Sequence, residues 1–86
     1  MIIPPLESEG QARALPAVRA ASAAGDGQAG WNRVLLAGAL AGAGVELGAY
    51  DIRVVDWLAL WEPHVVACIA GWVQRAGGSE EGDGDA

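Results

Sequence analysis

The stretch AYDIRVVDWLALWEPHVVACIAGWVQRA, residues 49–76, decides the fold. It holds two apolar segments with helical spacing, broken at Trp61-Glu62-Pro63. At about 100° per residue, Tyr50, Val54, Trp57, Leu58 and Trp61 share one face of the first segment. Ile52, Val55 and Ala59 lie nearly opposite, with Asp51, Arg53 and Asp56 on the flanks. A surface helix needs one apolar stripe, so two stripes predict a helix sandwiched at the centre of the fold. Pro63 disfavours helical geometry at Glu62 and is preorganised for a helix start. In the second segment Val65, Val66, Cys68, Ile69, Trp72, Val73 and Ala76 fill one arc. His64, Ala67, Gly71, Gln74 and Arg75 share the other side, and Gly77-Gly78 is the expected stop.

Working towards the N-terminus, a helix is predicted from Asn32, as N-cap, to Ala43, with Gly44 as a left-handed stop. Leu36 and Leu40 face the core, while Gly38 and Gly42 on the other side would admit a neighbouring backbone. Pro16 opens a weaker helix over about 16–24. The predicted fold is therefore all-α: a small irregular bundle of three principal helices (about 32–43, 49–60 and 63–76) plus the weak one. The domain organisation is a disordered leader (1–14), a weak helix and loop (15–30), a helical domain (31–76) and a disordered acidic tail (77–86). The expected core is Leu36, Leu40, Tyr50, Val54, Trp57, Leu58, Trp61, Val65, Ile69 and Trp72.

The middle of the chain resembles short helical proteins, uncharacterised in function, of high-GC actinobacteria and their mobile elements. The motifs that carry the likeness are Leu47-Gly48-Ala49-Tyr50-Asp51, Trp57-Leu58-Ala59, Trp61-Glu62-Pro63 and Gly71 to Ala76. They cover under half the chain, and Leu60 stands where the relatives carry a small turn-forming residue, which bears on the tightness of the corner. The resemblance implies a cytoplasmic helical protein and brings no activity with it.

Composition narrows the function classes. The chain has 86 residues, one cysteine and one histidine, and a net charge of −6. The segments 1–30 and 31–76 each carry −1, and Glu80, Glu81, Asp83 and Asp85 supply −4. Cys68 alone forms no intramolecular disulfide, and its place on the apolar arc reads as burial rather than nucleophilic reactivity. His64 beside Glu62 reads as a solvated residue at a helix start, because an acid/base pair needs a pocket and a third orienting group. Asp51 and Asp56, five apart on a helix, point in different directions. No cofactor, metal site or catalytic residue is therefore expected. The longest uncharged apolar run, residues 34–45, falls short of the ~20 residues of a membrane span; no membrane partner is expected, and the chain reads as cytoplasmic.

What remains is a non-enzymatic module for protein interaction, which self-associates or docks on a partner protein. Its expected contact residues are Ile52, Val55, Ala59, Gly38 and Gly42. The alternative is a helix-turn-helix-like regulatory protein acting near DNA, with 63–76 as recognition helix. That helix offers only His64, Gln74 and Arg75 on its polar side. Phosphate neutralisation supplies most non-specific affinity for DNA, so nucleic acid is not the expected partner.

Overall fold

The computed structural model describes the backbone of residues 2–83 and the side chains of residues 2–77. Its elements are α1 (Glu9–Arg13), α2 (Pro16–Ala23), a 3₁₀ turn (Gly25–Gly27), α3 (Gln28–Gly42), α4 (Ala49–Leu58) and α5 (Pro63–Asp83). Among the described residues there is no strand, and the fold is an all-α small bundle. No described helix is long and apolar enough to cross a membrane.

Several boundaries follow from local chemistry. Pro16 sits at the first turn of α2, and Gly25, at φ 59°, turns the chain after it. At the end of α3, Gly44 takes φ 79°; its N–H donates to Ala41 O (3.0 Å) and the Val45 N–H to Leu40 O (3.0 Å). That is the doubled bond pattern of a Schellman stop, which needs a left-handed residue at this position. Before α4 the Gly48 N–H donates to Asp51 Oδ2 at 2.9 Å, one half of a capping box. Pro63 opens α5, whose first carbonyl bonds run from Val65 and Val66 to Glu62 O.

The leader departs from its expected disorder. Ser8 caps α1 by accepting from the Gln11 N–H (3.1 Å), and Gln11 Oε1 accepts from the Glu7 N–H (2.8 Å). Ile3 is completely buried. Its N–H donates to Gln74 Oε1 (2.7 Å), and its carbonyl accepts from Arg75 Nη1 (3.0 Å). A side chain on Gly71 would meet Ile3 Cγ2 at 3.0 Å. The missing side chain of Gly71 is thus the seat into which the leader plugs.

The tail boundary also changes. α5 does not stop at Gly77-Gly78 but runs to Asp83. A Cβ on Gly77 would lie 2.7 Å from Ala43 Cβ and 2.8 Å from Ala43 Cα. Gly77 is therefore a close-approach point between α5 and the end of α3, and the helix tolerates it. Of the expected disordered segments, Met1 and residues 84–86 lie outside the described residues.

α3 and α5 form the most extensive helix pair, and α4 packs mainly on α3. The core joins Ile3, Val18, Leu36, Ala39, Val55, Val66, Ala67 and Ala70, with Leu40, Leu58 and Ile69 partly buried against it. Small residues dominate because they let the backbones of α3, α5 and the leader approach closely.

This packing reverses the expected orientation of α4. Val55 and Ala59 are buried, whereas Tyr50, Trp57 and Trp61 are exposed and Val54 is half-buried. On α5 the inward side is Val66, Ala67, Ala70 and Gly71, while Val65 and Trp72 are exposed. The physical reason is thickness. The molecule spans 44 × 33 × 16 Å, and two helix layers at 8–10 Å spacing already come to about 13–15 Å across their Cα atoms. No third layer exists to cover the outer face of α4.

Candidate functional site

The α4–α5 corner is held from beneath by α3. Asn32, expected as an N-cap, lies one turn inside α3 and is 1% exposed. Its Nδ2 donates to Ala59 O and to Trp61 O, each at 2.9 Å. Carbonyls at a helix C-terminus lack intrahelical donors, and Asn32 supplies two bonds at the end of α4. Arg33 adds an exposed ion pair from Nε to Asp56 Oδ1 at 2.7 Å. Both pin the polar and inner side of the corner and turn its aromatic side outward.

On that outward side Trp57 and Trp61 meet edge to face, with ring centroids 5.7 Å apart and planes at 81°. Trp57 is 56% exposed and Leu60 74%. With Glu62 and Val65 they surround a shallow hollow of about 500 Å³. Val65 also belongs to a second hollow, about 420 Å³, between the leader and α5. Its apolar wall includes Leu6, Val65, Ile69 and Trp72, and Glu7, Glu9 and His64 stand at its edge. Val65 lines both hollows, one on either side of it.

His64 is not the solvated residue expected of a helix start. Its side chain is 13% exposed, with Nε2 3.4 Å from Glu62 Oε1 and 3.9 Å from Glu9 Oε2. Arg13 Nε donates to the same Glu9 oxygen at 2.6 Å. The Arg13 hydrogen bond and charge, with a smaller contribution from His64, hold the Glu9 carboxyl below its ordinary value. The cluster ties α1 to the start of α5. Cys68 is half-buried and lines the same hollow rather than the core.

The expected contact residues do not come together. Val55 and Ala59 are in the core and only Ile52 of that stripe is exposed. Gly38 and Gly42 are exposed, with nothing within 4 Å of a built Cβ. Among the described residues they form no helix–helix groove. Among the described residues no group of three His, Cys, Asp or Glu side chains could hold a metal ion. Asp51 and Asp56 are used separately, at a helix start and in the Arg33 pair.

Sequence reasoning missed the leader and Asn32. The capping-box spacing Ser8-x-x-Gln11 was a readable signal for α1. A lone Ile3 and a mid-helix Asn carry no periodic signal. Comparison with family models, curated proteins and solved structures gives no match.

Proposed function

We propose that the protein is a non-enzymatic helical interaction module, which binds a second copy or a partner protein through the Trp57–Leu60–Trp61 corner. One observation carries this reading: the fold builds its core from small aliphatic residues and leaves Trp31, Trp57, Trp61 and Trp72 all about half exposed or more. Tryptophan is the side chain with most apolar area to bury, and it is enriched at the centres of binding interfaces. Contiguous apolar patches of this kind mark interaction sites. The polar side chains around the corner have structural uses in holding α1, α3 and α5 together.

The test is a pair of substitutions on the corner, Trp57→Ser and Leu60→Ser. Both are expected to keep cooperative unfolding and helical circular dichroism. Association is expected to fall, whether measured as sedimentation over a hundredfold concentration range or as crosslinking from a photoreactive residue at position 61 in expressing cells. Undiminished association in both variants would overturn the reading.

A further inference from the structure

We infer that the partner is a short amphipathic helix with basic residues beside its apolar stripe, seated over the two hollows that Val65 lines in common. This rests on the interaction reading above and names the chemistry of the occupant. The ionic side chains lining the hollows are Glu7 and Glu9 on one and Glu62 on the other, with His64 between them. No arginine is among the lining residues of either hollow; Arg13 pairs with Glu9 and offsets its charge, so Glu7 and Glu62 carry the negative charge offered to a partner. A second copy of this chain would bring the same carboxylates against them, and the chain carries −6 overall. A partner with lysine or arginine beside an apolar stripe meets complementary charge instead. From Val65 to Trp72 the surface runs two turns along α5, about 10 Å. That length suits apolar anchors at i, i+3 or i+4, and i+7 of a helix laid in a groove.

The test uses the full chain and a synthetic, Trp-free Leu/Lys peptide of about 18 residues with leucines at helical spacing. Two controls accompany it: the same composition scrambled to remove the stripe, and a Leu/Glu version. Binding is read by tryptophan emission and calorimetry. The Leu/Lys peptide is expected to bind with a blue shift, and each control about tenfold or more weaker. Trp72→Ala and the double variant Glu7→Gln/Glu62→Gln are each expected to weaken binding about fivefold or more at unchanged helicity. Trp72, Glu7 and Glu62 are exposed, and thermal unfolding of each variant separates a lost contact from a lost fold. Equal binding of either control, or no effect of both variants, overturns the assignment. If the Leu/Lys peptide fails to bind while the wild type self-associates through the corner, the partner class falls and the interaction reading stands. If neither occurs, both fall.

Discussion

Asn32 reaches from α3 to donate to Ala59 O and Trp61 O at 2.9 Å each, so a single buried amide closes the end of α4 and fixes where the aromatic corner points. Among the described residues no buried side-chain polar atom lacks a partner, and the arrangement depends on that amide. Asn32→Leu keeps the branching pattern of the side chain and removes both donors. Leaving buried acceptors unpaired costs about 1–3 kcal/mol, which for a domain this small lowers the melting temperature by on the order of 10 °C. A fall of less than a degree or two would show that the corner carbonyls need no donor from α3.

The leader is held at one seat. Gly71→Val places two methyl groups where Ile3 Cγ2 lies 3.0 Å from a built Cβ. Ile3 is then expected to leave while α5 stays helical. Amide hydrogen exchange reads this directly, because the Ile3 N–H donates to Gln74 Oε1. Exchange at Ile3 should quicken by about tenfold or more, in line with a local opening rather than global unfolding. Free-peptide exchange at Ile3 in the parent chain would contradict the docked leader.

Two glycines of similar helical setting should respond oppositely to alanine. Gly38 faces open space, so Gly38→Ala gains about 1 kcal/mol of helix propensity and raises the melting temperature. Gly77→Ala drives a methyl to 2.7 Å from Ala43 Cβ, and overpacking costs about 1–3 kcal/mol, enough to outweigh the same gain. Stabilisation by both substitutions would show that α5 does not approach Ala43.

Glu9 gives the fold a pH dependence of known sign. Its carboxyl is held below the ordinary value of 4.5, first by the Arg13 hydrogen bond, then by the charges of Arg13 and His64. A depressed carboxylate stabilises the folded state fully above its unfolded value, and that contribution is lost as pH falls through the folded value. The exposed position keeps the effect small. The protection factor of the buried Ala12 amide, taken relative to intrinsic exchange at each pH, should therefore fall below about pH 4.5, and Glu9→Gln should flatten that response. Identical acid profiles in parent and variant would remove Glu9 from the clasp.

Much of the backbone was legible in the sequence because it is local. Pro63 and Gly44 work through φ angles and neighbouring amides, which residue type alone specifies. The faces were not legible, because the reasoning ranked side chains by size. In α5 the inward residues are Ala67, Ala70 and Gly71, which let backbones touch, and Trp72 is too large to fit between them. In α4, two apolar stripes suggested two neighbours, yet the molecule has only two layers. Of the expected contact residues Ile52, Val55, Ala59, Gly38 and Gly42, Val55 and Ala59 are therefore in the core, and the uncovered stripe of α4 is the one with Trp57. Ile3 had no periodic company, and its burial depends on Gly71, Gln74 and Arg75, some seventy residues away.

The whole functional account rests on which face of α4 is inside. The most direct measurement is the thermal unfolding of Val55→Ser set beside that of Trp57→Ser. Val55 is 7% exposed, and losing it leaves a polar hydroxyl in an apolar core, a cost of about 2–4 kcal/mol. Trp57, 56% exposed, gives up its edge-to-face contact with Trp61, about 0.5–1.5 kcal/mol beyond the area it covers, and leaves no hydroxyl in the core. The fall in melting temperature is expected to be clearly larger for Val55→Ser than for Trp57→Ser. The reverse order would place Trp57 in the core and contradict the account.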